Sequence, residues 1–250
     1  MAATNPDRRQ FLWMGASVAA ALGSALVAAA AAEQTAGGAP LKIGIIGAGR
    51  EGGALGTLLV KAGHPVMFSS RHPEALKGFV AGLGPLAAAG TVAQAVDFGD
   101  VVMIVVPYPA MQEVARDYGH ALVKKAAIID VSNPIARRDG ADFVKSVEEQ
   151  GGAGLATERM LPRAHIVRAF NAISYLKLPA DAHRSGEPVG VPIAGNNREA
   201  IAIVADLIRE MGFEPVLVGG LAMGKYLVPG TPLGGEHTPA EIRSIAGGLQ

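Results

Sequence analysis

Three glycines, Gly47, Gly49 and Gly52, stand at G-x-G-x-x-G spacing behind an apolar run at residues 41–46 and lead into a helix-forming run at 54–61. Each answers a separate demand when a pyrophosphate must touch backbone. Gly47 allows a tight turn, Gly49 leaves space for the phosphate, and Gly52 lets the helix pack close to the strand. The N–H groups of the helix start then face the phosphates, with Ala48, Arg50 and Glu51 between the glycines. Glu51 is the odd member, because a carboxylate repels a pyrophosphate; it is expected to point away or toward the ribose. An NAD site places Asp or Glu about 20 residues further on, to hold the ribose hydroxyls. This chain has Ser69, Ser70, Arg71 and His72 there. Two hydroxyls and a guanidinium suit the 2′-phosphate of NADP, which a carboxylate would repel. NADP is therefore the expected cofactor.

The elements that must carry these residues follow from patterning. Apolar runs at 41–46, 101–106 and 127–131 read as buried strands, and shorter strands are expected at 65–68, 88–91, 165–169, 189–194 and 215–218. Helices are expected at 54–61, 73–80, 110–122 and 199–211, with terminal helices at 221–227 and 239–245. Residues 137–154, with mixed charge and glycines at their end, read as a loop holding a short helix near 143–149. Strands alternating with helices imply an α/β fold built on a parallel sheet.

Composition narrows the function further. Half of the 250 residues are apolar and the formal net charge is zero, which supports a real core and gives no reason to expect a nucleic-acid partner. Cysteine is absent, so disulfides, thiolate metal sites and thiol catalysis are excluded. The histidines show no metal-ligand spacing, and His64, between a helix and a strand, reads as structural. Ahead of the folded part, Arg8 and Arg9 precede Phe11, Leu12 and an alanine-rich apolar run to residue 32. That order resembles a twin-arginine signal peptide over residues 1–32, followed by a linker at 33–40 and the nucleotide-binding domain at 41–250. It implies export, to a periplasm or otherwise, and transient contact with the twin-arginine machinery. A membrane anchor and a disordered extension remain the alternatives.

Taken in order, the glycine run, Gly63-His64, Ser69 to Arg71, Pro73-Glu74, residues 98–102, residues 106–109, residues 129–134, Ala169-Phe170-Asn171 and residues 191–195 resemble the NADPH-dependent coenzyme F420 reductase family. The nucleotide domain is also similar to that of membrane ferric reductases and, distantly, to the N-terminal domain of pyrroline-5-carboxylate reductases. The resemblance implies a Rossmann-type doubly wound parallel sheet with a short C-terminal helical region. It implies hydride transfer between NADPH and F420, a flavin or another small acceptor. The nicotinamide half would lie along Val106, Pro107 and Tyr108, near Asn133 and Pro134, with Ala169, Phe170 and Asn171 completing the pocket. Such chemistry needs orientation more than side-chain acids and bases, so no catalytic residue is assigned. A homodimer is compatible with this reading. The competing class is an NADP-binding sensor or partner-binding protein without turnover.

Overall fold

The computed structural model describes residues 39–249; the expected signal segment and all but the last two residues of the expected linker lie outside them. Eight strands form one sheet: β1 (Ile43–Ile46), β2 (Val66–Ser69), β3 (Ala87–Gly90), β4 (Val101–Ile104), β5 (Ala127–Asp130), β6 (Ile166–Arg168), β7 (Gly190–Gly195) and β8 (Glu214–Gly219). Their spatial order is β3-β2-β1-β4-β5-β6-β7-β8. Helices α1 (Arg50–Lys61), α2 (Lys77–Leu83), α3 (Val92–Phe98), α4 (Met111–Leu122), α5 (Ala136–Asp139), α6 (Ala141–Glu149), α7 (Ala153–Met160), α8 (Leu178–Asp181), α9 (Arg198–Glu210) and α10 (Pro239–Gly247) cover it.

Strand alternation sorts the core onto two faces. Ile43, Ile45, Val101, Met103 and Ile129 point to one side, where Leu55 and Leu59 of α1 and Val204 and Ile208 of α9 meet them. Ile46, Val102, Ile104 and Ile128 point to the other, against Val96, Met111, Leu122 and Val147. Helices on both faces explain why these strands read as continuous apolar runs rather than alternating ones.

The Rossmann-type sheet is mostly, not wholly, parallel. Strands β1 to β6 run parallel, but β7 meets β6 antiparallel, with Val167 opposite Gly195, and β8 then runs parallel to β7. A parallel crossover needs a connection long enough to span the sheet, usually a full helix. Between β6 and β7 the only helix is the four-residue α8, so the chain turns back instead.

Residues 137–154, expected as a loop around one short helix, are more helical than that: α5 and α6 fill 136–149, with α6 at the expected short helix, and α7 starts at Ala153 and runs into the helical turn expected at 156–161. Gly140 and Gly152, both at positive φ (91° and 89°), stand at the N-caps of α6 and α7. These glycines divide short helices, where the sequence reading took glycine as a sign of irregular chain.

Candidate active site

The β1–α1 turn is shaped as its glycines require. Gly47 adopts φ 101°, a region costly for a side chain, and a Cβ there would strike the Val105 carbonyl. A Cβ on Gly52 would run into the Gly47 carbonyl, so its absence sets how closely α1 approaches the turn. Gly49 caps α1 with extended backbone and no side-chain bond, and a Cβ there would meet open space. The first intrahelical bond runs from the Gly53 N–H to the Gly49 carbonyl, 2.7 Å. The preceding N–H groups are therefore left for an anion, helped by the positive end of the helix dipole.

A cavity of about 720 Å³ begins at this turn, lined by Gly47, Ala48, Gly49, Ser69, Ser70, Arg71, Val106 and Pro107 among others. Gly47, Ala48 and Gly49 of the expected phosphate turn thus share one cleft with Ser69, Ser70 and Arg71, while Arg50, Glu51 and Gly52 do not line it. Their parts differ from expectation. The Ser69 hydroxyl is fully buried and donates to the Ile45 carbonyl at 2.7 Å, while the Ser69 carbonyl accepts from Ala48 N–H at 3.1 Å. Ser69 therefore ties the turn to β1 and is spent on that task. The Ser70 hydroxyl accepts the His72 N–H at 3.0 Å, while Arg71 is exposed at the cavity wall.

A second cavity, of about 340 Å³, lies beyond Val106, which lines both. Its wall includes Glu51, Ser132, Asn133, Arg138, Phe170 and Asn171. One buried network positions the two asparagines. Asp130 and Arg168, both with fully buried side chains, pair at 2.6 Å. Arg168 Nη2 donates to Ser132 O and Asn133 Oδ1, each at 3.1 Å. Asn133 Nδ2 donates to the Asn171 carbonyl at 2.8 Å, and Asn171 Nδ2 donates to the Asp130 carbonyl at 3.1 Å. Phe170 makes the turn after β6 at φ 60°, in the left-handed region, and its ring packs edge-on against Phe213. Sequence reasoning missed Asp130 and Arg168; charged residues at adjacent ends of otherwise apolar strands were the available signal.

Four expected site residues do not line this cleft with their side chains. Tyr108 turns away: its ring is buried, its hydroxyl donates to the Ala153 carbonyl at 2.7 Å and bonds Thr157 at 3.0 Å. The hydroxyl fixes α7, because a phenol buried among apolar neighbours must find partners. Burial, and then the Asp130 charge, push its pKa up to about 12. Pro134 and Ala169 are buried and shape the strand-end turns without reaching either cavity. The Arg50 guanidinium leaves the pyrophosphate side for Tyr175, donating to its hydroxyl at 3.1 Å and lying 5.7 Å from its ring centre. Only the Arg50 backbone N–H stays with the turn.

Glu51 does point away from the phosphate side, into the wall of the second cavity. Its Oε2 accepts the Tyr175 N–H at 3.0 Å, and its Oε1 is buried without a partner. Burial raises its pKa to about 7, against a smaller lowering by the Tyr175 hydrogen bond. His64 is structural as expected: Nε2 meets Glu210 at 2.6 Å and Nδ1 meets the Leu41 carbonyl at 3.0 Å. Among the described residues no cluster of His, Asp or Glu could hold a metal.

The donors of the turn, the space at Gly49 and the Ser70–Arg71 rim fit NADP. Comparison with known proteins agrees. Residues 42–134 match the family model described as NADP oxidoreductase, coenzyme F420-dependent. The chain is 30% identical over 197 residues to the metalloreductase STEAP3 of Rattus norvegicus, covering 74% of this chain and 35% of that protein. It therefore spans about a third of that relative's length. Among solved structures it is similar to a hypothetical protein from Sinorhizobium meliloti (28% identity, TM-score 0.65, 78% of this chain and 93% of that one). A putative F420-dependent NADP-reductase from an Arthrobacter species shares the fold (20% identity, TM-score 0.62, 74% of this chain and 87% of that one). With its glycine turn, its Ser70–Arg71 rim and the match over residues 42–134, the chain is similar to the F420-dependent NADP oxidoreductases over its nucleotide-binding part and takes NADP as its cofactor.

Proposed function

We propose that this chain transfers a hydride between NADPH and a small acceptor, F420 or a flavin first among the candidates, held in the cavity between Glu51, Asn133 and Asn171. The observation that carries this reading is the second cavity, which shares Val106 as a wall residue with the nucleotide cleft. A protein that only binds NADP has no need of it. When bound, NADPH supplies the hydride. The residues of the chain bind, orient and exclude water: the α1 N–H groups hold the pyrophosphate, Arg71 meets the 2′-phosphate, and Asn133 and Asn171 wall the acceptor side. Fixing two rings face to face removes most of the entropic barrier to such a transfer.

The test is purification, identification of bound nucleotide, and an NADPH-oxidation assay with F420, FMN, FAD and ferric chelates. The ferric chelates are included because of the metalloreductase relative. Oxidation with one of these acceptors supports the reading. Tight NADPH binding with no turnover favours the sensor or partner-binding alternative. For residues 1–32 we propose export by the twin-arginine route. Replacing Arg8 and Arg9 with Lys should then retain a fused reporter in the cytoplasm, and unchanged export would refute that route.

A further inference from the structure

The second cavity contains a carboxyl group that the reading above leaves idle. Glu51 sits in the first turn of α1, two residues past the N-cap, yet its side chain turns from the phosphate side into the acceptor wall. One oxygen is held by the Tyr175 N–H and the other, buried, has no partner. Asn171 Oδ1, in the same wall, is also buried and unpartnered. Unsatisfied buried oxygens are uncommon and call for an occupant that supplies what they lack.

The charged groups around this wall are otherwise engaged. Arg138 donates to Asp139 at 2.7 Å and to the Asn133 carbonyl at 2.6 Å. Arg50 lies on Tyr175, as described above. No cation compensates Glu51 at salt-bridge distance among the described residues. Burial then favours the neutral acid, which is a hydrogen-bond donor rather than only an acceptor.

We propose that Glu51 is the proton donor to the hydride acceptor, and that the acceptor presents to this wall a C=N or C=O edge with a neighbouring N–H. The proposal rests on the oxidoreductase reading above. One end of the acceptor's double-bond system gains the hydride that NADPH supplies. Its heteroatom gains the Glu51 proton: the Glu51 O–H bond breaks, a bond from hydrogen to the heteroatom forms, and a carboxylate remains. Net, the acceptor takes up two electrons and two hydrogens, NADPH is oxidised to NADP⁺, and Glu51 is reprotonated from water. Asn171 Oδ1 accepts the neighbouring N–H and sets the acceptor's orientation.

Glu51→Gln separates this role from a structural one, because the amide oxygen still accepts the Tyr175 N–H but the side chain has no acidic proton to give. With FMN and F420 as probes, Glu51→Gln should lower kcat by about 100-fold or more. Its Kd for NADPH, read by fluorescence titration, should stay within about twofold, since the proposed role is on the acceptor side. The wild-type rate should fall as pH rises through about 7, and the variant should lack that limb. Infrared spectroscopy of the substrate-free protein gives an independent reading. A protonated carboxyl band should persist near neutral pH in the wild type and be missing in Glu51→Gln. Wild-type turnover by Glu51→Gln, or a Glu51 carboxyl already ionised at pH 5, would overturn the proposal. Failure of the wild type to oxidise NADPH with either probe would instead bring down the oxidoreductase reading, and the proton-donor role with it.

Discussion

On the proposed reading two side chains distinguish the nucleotide and its chemistry, Arg71 by its charge and Glu51 by its proton. Arg71 stands at the rim of the nucleotide cleft, where a 2′-phosphate would lie. A hydrogen bond to a charged group contributes about 1.5–3 kcal/mol. Arg71→Ala should therefore weaken NADPH binding by roughly 10–100-fold and leave NADH within about twofold, as measured by fluorescence titration. Equal losses for both nucleotides would refute the assignment. Glu51 has a consequence for stability as well. Its pKa is raised from 4.5 to about 7 in the folded state, so across that window the folded chain holds a proton that the unfolded chain has released. Stability should fall as pH climbs from about 4.5 through about 7, and the fall should be shallower in Glu51→Gln, as read from urea unfolding. The sequence marked Glu51 as misplaced beside a pyrophosphate. It could not place the side chain, because the anchor is Tyr175, 124 positions away.

At the scale of elements, the ends of β5 and β6 are joined by the Asp130–Arg168 pair, and the two asparagines of the second cavity hang from that joint. A buried pair adds little net stability over a well-packed apolar substitute, but deleting one partner leaves a bare charge inside the protein. Arg168→Met should destabilise the fold by about 3–5 kcal/mol in urea unfolding. The double variant with Asp130→Asn should lose less than the sum of the single changes, since the two groups are coupled. This joint was hard to read in the sequence because each residue ends a strand of otherwise apolar type, and pairing partners cannot be inferred from spacing. Tyr108 shows the same limit. Its position after β4 suggested a place along the nicotinamide half, but its hydroxyl is drawn to Ala153 and Thr157 on α7. By contrast, Thr91 and Gln94 form a complete capping box at α3, a local device written within four residues.

At the scale of the molecule, alternating strands and helices announced a parallel α/β sheet and the family resemblance its doubly wound form, and the order of strands β1 to β6 follows it. The reversal at β7 was not legible, because an apolar strand carries no mark of its direction. Only the brevity of α8 reveals that the chain cannot cross the sheet there. The two-cavity layout also belongs to this scale, as it arises from the ends of β1 to β5 and the connection after β6. Val106 is the residue common to both cavities. On the proposed reading it is the waist past which the nicotinamide end reaches toward the acceptor, so the two ends of the nucleotide act as tethered ligands whose local concentrations reinforce each other. Widening the waist residue should cut the tether's benefit without harming the adenosine end. Val106→Trp should leave the affinity for 2′,5′-ADP within about twofold while weakening NADPH by 10-fold or more, roughly the loss expected when linkage no longer helps. Isothermal titration of the two ligands would measure this, and a parallel loss of both would show that the waist does not separate them. On these terms the charged contact at Arg71 holds one end of NADPH, and a single valine governs how far the other end can reinforce it.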